Sequence, residues 1–307
     1  MESISDSWII TLRNMLIKNL KENMLPLPVS KSICYEWALD LKLRKNCDTI
    51  LYTSCLYQLA PYINAFTKYI EKFGVSKGRF SSLVSIFSRF SFFIQPNKEL
   101  IEKTNKILKN IANELSKVID FGYLYEEEPY SGALLYELGF EDEFKEYAEK
   151  VVELFESKNI KKIITIDPHT HHILKVIYPK FVNFNIDVIN YLEIIKPNKK
   201  VNLTATIHDS CLYARFLNMY DLPRKILDEI GVSRKEHNII TAKDYGGCCG
   251  GPLESLAPEI SRKIAEKRIQ DLTKVSNNII VLCPICLANL SRVASNVNII
   301  DFAELIG

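Results

Sequence analysis

Three short segments of this 307-residue chain occur twice in the same order, once in each half. Such a repeat strongly constrains the fold, because each copy of the unit must bury its own apolar strands. The first and second segments lie farther apart in the first half, which predicts an insertion around residues 73–97. The paired segments are TSCLYQ (53–58) with DSCLYAR (209–215), YSGALLYELG (130–139) with CCGGPLESLA (248–257), and IITIDPHTHHIL (163–174) with IIVLCPICLANL (279–290).

Each half has the same order of predicted elements. Short apolar runs precede the first motif and lead into the third, and polar amphipathic helices lie between them. Strands that alternate with helices predict parallel sheets covered on both faces. We therefore expect an α/β fold with two pseudo-twofold-related halves, each a small parallel sheet flanked by helices. The expected divisions are an N-terminal helical extension (1–45), a first half (46–196) and a second half (201–307).

The composition is that of an ordinary globular protein and excludes some functions. Its 39 basic and 37 acidic residues give a formal net charge of +2, and no basic stripe indicates nucleic-acid binding. No apolar stretch is long enough to span a membrane, and residues 1–23 lack the features of a signal peptide. We therefore expect a cytoplasmic protein. In that compartment its eight cysteines should be reduced thiols, metal ligands or catalytic groups rather than structural disulfides.

Five of the eight cysteines lie in the second half with the pattern C-x36-C-C-x33-C-x2-C. Three of them follow predicted strands, whose carboxyl ends form the ligand-binding edge of a parallel sheet. The other two are adjacent in a glycine-rich loop, which can bend so that both sulfurs and nearby amides face one site. A zinc ion and a standard four-iron cubane each take four protein ligands, so a fifth thiolate is informative. The five residues are Cys211, Cys248, Cys249, Cys283 and Cys286.

This pattern resembles the cysteine-rich CCG domain of heterodisulfide reductase, found in its B-type subunit and in the C-terminal part of its D-type subunit. Similar domains occur in subunits of glycolate oxidase, anaerobic glycerol-3-phosphate dehydrogenase and lactate-utilisation complexes. The resemblance implies one noncubane [4Fe-4S] cluster, held by the five cysteines in a loop that includes Gly247 and Gly250. It also implies an oxidoreductase complex with an iron–sulfur partner resembling the C-type subunit of heterodisulfide reductase, and a flavoprotein subunit beyond it.

The first half departs from this pattern at four of the five ligand positions. It keeps Cys55, but Tyr130 and Ser131 replace the double cysteine, and Asp167 and Thr170 replace the last pair. We therefore predict that the first half binds no noncubane cluster.

Two residues near these positions are candidate catalytic groups. Cys55 is either a free thiol that faces the cluster and reacts with a sulfur substrate, or a buried small hydrophobe. His169 is either a proton donor beside the cluster or an ordinary polar residue near the helix cap at Asp167. The same alternatives hold for His171 and His172, and His208 either faces the cluster or merely ends a strand.

Three functions are compatible with the sequence. The first is a redox subunit that exchanges electrons with a disulfide, persulfide or related sulfur substrate. The second is an electron relay for a flavin-dependent glycolate, lactate or glycerol-3-phosphate oxidoreductase, and the third is a structural zinc module. No ferredoxin-type cysteine run is present among the 307 residues, so a redox role requires a partner with conventional clusters. The apolar segment at 80–93 is either core or a surface that docks that partner.

Overall fold

The computed structural model describes residues 6–73 and 96–307, and within these ranges all seven strands are parallel. They form two sheets, with the order β1-β2-β3 in the first half and β5-β4-β6-β7 in the second. This arrangement confirms the predicted α/β fold with two small parallel sheets flanked by helices. The strands are β1 (Thr49–Tyr52), β2 (Lys162–Thr165), β3 (Asp187–Asn190), β4 (Thr204–Ile207), β5 (Ser233–Arg234), β6 (Asn278–Val281) and β7 (Asn298–Asp301).

Helices cover both sheets and supply most of the remaining core. None of those described has the length and apolar character needed to cross a membrane. Their bounds are α1 (Asp6–Asn23), α2 (Leu56–Phe73), α3 (Lys98–Ser116), α4 (Ala133–Glu137), α5 (Glu141–Ser157), α6 (Pro168–His172), α7 (Tyr178–Phe181), α8 (Asp221–Glu229), α9 (Pro258–Thr273), α10 (Pro284–Val293) and α11 (Phe302–Ile306). Short π-helical turns join α6 to α7 and follow Cys211.

The central strands are short runs of isoleucine and other β-favouring residues that are buried on both faces. Ile163 and Ile164 in β2, and Ile279 and Ile280 in β6, have no exposed surface. Polar turns and helix starts bound these runs, as expected for parallel strands covered by helices. The four strands predicted from the apolar runs are therefore present as β1, β2, β4 and β6.

The repeat seen in the sequence is also present in the connections between strands. In each half the strand before the first motif pairs with the strand before the third, as β1 with β2 and β4 with β6. The outer strands β3 and β7 both run into a reciprocal helix cap, formed by Asn190 with Glu193 and by Asp301 with Glu304. Among the described residues, strand β5 of the second sheet has no counterpart in the first sheet.

The N-terminal segment contacts both halves of the molecule. Trp8 on α1 donates a hydrogen bond to the carbonyl oxygen of Ser255 in the second half (3.0 Å), and Arg13 pairs with Glu143 in the first. Two 3-10 turns, Lys31–Cys34 and Glu36–Leu41, follow α1. The division into an extension and two halves stays a prediction. The apolar segment at 80–93 lies outside the described residues, as does most of the predicted insertion.

Candidate metal centre

Two adjacent strands of the second sheet carry three of the five cysteines to one edge. Strands β4 and β6 are paired in parallel, so the segments that follow them lie side by side. Cys211 follows β4, and Cys283 follows β6 as the N-cap residue of α10, with Cys286 in its first turn. This is the carboxyl edge that the sequence predicted.

The two adjacent cysteines lie in a loop whose shape depends on Gly250. This glycine has a φ of +95°, and a Cβ atom there would lie 2.7 Å from the carbonyl oxygen of Ser261. Its amide donates a hydrogen bond to the sulfur of Cys248 (3.3 Å), as expected for a loop that turns backbone N–H groups toward a cluster. Gly247, in the same loop, lies against Arg268: a Cβ atom there would be 3.4 Å from the Arg268 side chain.

The structure brings the five cysteine side chains together in one unbroken series of contacts. The Cys248 thiol lies within hydrogen-bonding reach of both Cys211 and Cys249. Cys249 Sγ is 3.3 Å from Cys286 Sγ, and Cys286 is within reach of Cys283. Residues from three separate parts of the second half therefore converge on one site. That they ligate a cluster stays a prediction.

The pKa values of the five thiols at this site are shifted in different directions from the ordinary value of a cysteine. Hydrogen bonds from Cys211 and Cys249 lower the pKa of Cys248 to about 2. Burial opposes ionisation of Cys283, but hydrogen bonds from Cys286 and His169 and the charge on His169 hold its pKa well below the ordinary value. The pKa values of the other three thiols are raised, first by the hydrogen bonds they make to neighbouring cysteines. Thiolates, the form that binds metal, are thus favoured at two of the five positions.

The site is buried on one side and open on the other. Cys249, Cys283 and Cys286 are buried, whereas Cys211 and Cys248 are partly exposed. The three most exposed large apolar side chains among the described residues lie on the segment of the chain that connects Cys211 to Cys248. They are Phe216, Ile239 and Tyr245, with exposed fractions of 60%, 78% and 84%. We call these three residues the rim patch.

His169 connects the second-half thiols to a first-half carboxylate. Its ring is within hydrogen-bonding reach of Cys283, and its Nδ1 atom lies 2.5 Å from Glu137 Oε1. Burial opposes the positive charge, but Glu137 and Cys283 raise the pKa of His169 well above its ordinary value. The structure therefore places His169 beside the thiols, where the proton-donor hypothesis requires it. A catalytic role for it stays a prediction.

The neighbouring histidines have structural contacts instead. His171 Nδ1 lies 2.7 Å from the hydroxyl of Thr165, and burial lowers the pKa of His171 to about 4. The ring of His172 packs against Phe216. Asp167 accepts a hydrogen bond from the Thr170 amide (2.9 Å) and caps α6. Both features considered for this segment are therefore present: Asp167 caps α6, and His169 reaches the thiol of Cys283.

His208 lies at the end of β4 and faces the same site. One of its ring nitrogens is within 4.8 Å of the sulfur atoms of Cys249 and Cys286. Its Nδ1 atom accepts a hydrogen bond from Arg268 Nε at 3.0 Å. Burial and the charge of Arg268 lower the pKa of His208 to about 3, so the ring is neutral near pH 7.

The structure excludes the alternative in which Cys55 is a free thiol that reacts with substrate. Cys55 forms a disulfide with Cys34, and both residues are buried. The expectation that all eight cysteines would avoid disulfides is therefore wrong for this pair. The 3-10 turn that ends at Cys34 packs beside the start of α2, a contact that sequence spacing does not reveal.

The other degenerate positions of the first half are also engaged in packing and hydrogen bonds. The Ser131 amide donates to the Ser54 hydroxyl at 2.8 Å, and Tyr130 is buried with its hydroxyl accepting from the Leu134 amide. The carboxylate of Glu128 accepts from the amides of Thr53 and Ser54. That the first half binds no cluster stays a prediction.

An apolar cavity is lined by residues of α1 and of both halves, and His169 forms part of its wall. Leu12 of α1 and Leu59 of α2 contribute to its walls, and its few polar groups are Glu137, His169 and Glu254, with a serine and a threonine. Burial raises the pKa of Glu254 to about 7. His169 lines this cavity and also reaches Cys283, so only its side chain separates the titratable groups of the cavity from the cysteines.

Sequence reasoning missed Glu137 and Arg268. Arg268 falls on the buried face of α9 with Ser261, Ala265 and Leu272, so a charged residue on that face was the available signal. Glu137 lies in the repeated segment at 130–139, where nothing in the sequence indicates that its partner is a histidine 32 positions away.

Comparisons with known proteins agree with the cysteine pattern. Residues 205–291 match the family CCG, described as a cysteine-rich domain. The chain is 34% identical over 202 residues to a probable iron–sulfur-binding oxidoreductase, FadF, of Bacillus subtilis, a match that covers 61% of this chain and 28% of that protein. It is 32% identical over 213 residues to the EtfAB:quinone oxidoreductase of Syntrophomonas wolfei, covering 61% of this chain and 29% of that protein.

A third relative is the D-type subunit of the dihydromethanophenazine:CoB–CoM heterodisulfide reductase of Methanosarcina mazei. It is 29% identical over 198 residues, covering 58% of this chain and 48% of that protein. Among solved structures, an aspartate racemase of Picrophilus torridus aligns at 12% identity over 66% of this chain and 85% of that one, with a TM-score of only 0.29.

The resemblance to the CCG cysteine-rich domain and to heterodisulfide reductase is therefore confirmed. By name the three relatives are oxidoreductases or a subunit of one, and FadF is named as iron–sulfur-binding, which supports an iron–sulfur cluster at the cysteine site. The chain spans less than half the length of each of the three relatives.

Proposed function

We propose that this chain is an iron–sulfur redox subunit of a heterodisulfide-reductase-like complex, with one cluster held by the five cysteines of the second half. The observation that carries the proposal is the unbroken series of thiol contacts from Cys211 to Cys283. A bound cluster would supply one-electron transfer at this site. The chain's own residues would hold it, set its surroundings and move protons beside it.

The noncubane [4Fe-4S] type is the form of cluster we propose. Its support is the donor set, because five thiols converge where zinc or a cubane would take four. The amide of Gly250, which donates to Cys248, adds a backbone hydrogen bond of the kind that iron–sulfur sites use.

We further propose that the substrate is a disulfide, persulfide or related sulfur compound. Reduction of a disulfide to two thiols takes up two electrons and two protons, so a cluster that transfers one electron at a time would have to be reduced twice by the partner, and a proton source beside it is required. His169 fits this requirement, because Glu137 holds its Nδ1 side while the ring also reaches Cys283. The apolar cavity that His169 lines could admit a small substrate to this point. Cys55 is not part of the proposal, since its sulfur is bonded to Cys34.

The partner we propose is an iron–sulfur protein that docks on the rim patch, with a flavoprotein subunit beyond it. This partner is the proposed source of electrons, because the 307 residues themselves contain no ferredoxin-type cysteine run. The residues of the rim patch lie in the segment between Cys211 and Cys248, the two partly exposed thiols of the site. An apolar surface at this place suits a partner that brings its own cluster close.

The first prediction concerns metal content. Protein purified and handled without oxygen should contain about four iron atoms and matching acid-labile sulfide per chain, with an electron paramagnetic resonance signal in one oxidation state. Iron and sulfide analysis with spectroscopy measures this. About eight irons per chain would contradict our interpretation of the first half, and stoichiometric zinc with little iron would contradict the redox function.

A second prediction separates sulfur chemistry from simple electron relay. Adding a small disulfide to the cluster-loaded, reduced protein should reoxidise the cluster and change its absorption and paramagnetic spectra. His169→Gln should slow this reaction by about 10- to 100-fold while leaving the iron content unchanged, because a glutamine cannot supply a proton. If reduced wild-type protein shows no spectral change with disulfides or persulfides, the chain transfers electrons without acting on sulfur.

A further inference from the structure

The contacts of His208 determine which of its ring nitrogens carries a proton. A guanidinium group has five N–H donors and no acceptor, so Arg268 Nε can only donate to His208 Nδ1. Nδ1 must therefore be the unprotonated nitrogen. In a neutral imidazole the single proton then resides on Nε2.

The Nε2 atom of His208 is buried and has no hydrogen-bond partner among the described residues. A buried N–H without an acceptor loses its hydrogen bonds to water and gains none in return, so such a group normally indicates a missing partner. The candidate acceptors are at hand, since a ring nitrogen of His208 lies within 4.8 Å of the sulfurs of both Cys249 and Cys286.

A histidine in this place can either ligate the cluster or donate a hydrogen bond to it, and the Arg268 contact distinguishes these two roles. A metal ligand must offer a lone pair, but a nitrogen that carries a proton has none to offer. We propose that His208 is not a sixth ligand of the cluster: its Nε2–H donates a hydrogen bond to cluster sulfur, and Arg268 is the positioning residue that keeps the proton on that nitrogen. This inference rests on the proposed function.

Arg268 is itself firmly held in this arrangement. It is 4% exposed, and its Nη1 atom donates to the carbonyl oxygen of Ile240 at 2.6 Å. Its side chain also lies against Gly247 of the cysteine loop. Its charge also lies near Cys249 and Cys286. A hydrogen bond and a positive charge beside an iron–sulfur cluster both stabilise the added electron and so raise the reduction potential.

The test compares three variants of the full, cluster-loaded chain. His208→Gln keeps an N–H donor, His208→Leu removes it, and Arg268→Met removes the group that positions the proton. We expect wild-type iron content in His208→Gln, with a reduction potential close to that of the wild type. His208→Leu and Arg268→Met should each shift the potential to more negative values.

Pulsed paramagnetic resonance of protein labelled with nitrogen-15 histidine gives an independent reading. A hydrogen-bonded His208 should contribute only a weak nitrogen coupling, and this contribution should be lost in His208→Gln while any coupling from His169 remains. Strong coupling typical of a ligated nitrogen, or loss of iron from His208→Gln, would overturn the proposal in favour of ligation. An unchanged potential in both His208→Leu and Arg268→Met would also overturn it. Wild-type protein without iron would instead refute the proposed function.

Discussion

Replacing Cys249 with serine is expected to reduce the iron content of anaerobically prepared protein from about four atoms per chain to less than about one. Cys249 lies between Cys248 and Cys286 in the series of thiol contacts. Its loss therefore interrupts the series and leaves no thiol to link those two residues. A serine hydroxyl is a poor ligand for iron that also binds sulfide, because soft thiolates are preferred. Iron and sulfide analysis, together with the visible absorption of the cluster, measures the effect.

The matched control is Cys47→Ser. Cys47 is a free, partly exposed cysteine that packs against Gly122 in the first half. This variant should keep the wild-type iron content, which shows that the loss depends on the position of the thiol rather than on the chemical change. Equal iron in Cys249→Ser and the wild type, with both proteins folded by circular dichroism, would refute the assignment of Cys249 as a ligand.

Replacing Gly250 with alanine is expected to destabilise the cysteine loop strongly, because backbone strain and a steric clash act at the same position. The left-handed φ of +95° costs about 1–3 kcal/mol for a residue with a side chain. In addition, the new Cβ atom would lie 2.7 Å from the backbone oxygen of Ser261, so the loop must move. We expect the free energy of unfolding to fall by about 3–4 kcal/mol, the sum of backbone strain and overpacking. Iron binding should fall by more than half, since Cys248 and Cys249 move with the loop.

Gly139→Ala separates the two contributions. Gly139 has a similar φ of +82°, but a Cβ atom there would meet nothing within 4 Å. Its replacement should cost only the backbone strain, about 1–2 kcal/mol, and leave the iron content unchanged. Urea unfolding of both variants measures the difference, and an equal loss of stability would show that the contact with Ser261 does not matter.

The strands and the edge at which the cysteines meet could be predicted because their determinants are local. Each central strand is a run of apolar β-favouring residues only a few positions long, and Cys211 and Cys283 follow such runs directly. The turn at Gly250 could likewise be anticipated from the glycines around the double cysteine. The parallel pairing of β4 with β6 then brings these segments together.

The contacts that set the chemistry of the site could not be predicted in this way. His169 contacts Glu137, which is 32 positions away in the sequence. His208 accepts a hydrogen bond from Arg268, which is 60 positions away. In both cases the partner lies on another element, and the sequence contains no pattern that links them. For the same reason the Cys34–Cys55 disulfide was missed, and neither of the two alternatives for Cys55 included it.

The amino-acid sequence by itself therefore determined the repeated α/β plan and the set of five cysteines, because short-range apolar patterning and motif spacing specify both. Only the tertiary structure decided which groups surround those cysteines and how their protons are held. The physical reason is that hydrogen bonds and charges act over a few ångströms in space, and packing of distant elements decides which groups come that close. His208 illustrates the difference: its place after β4 follows from the sequence, but the nitrogen that carries its proton follows from Arg268.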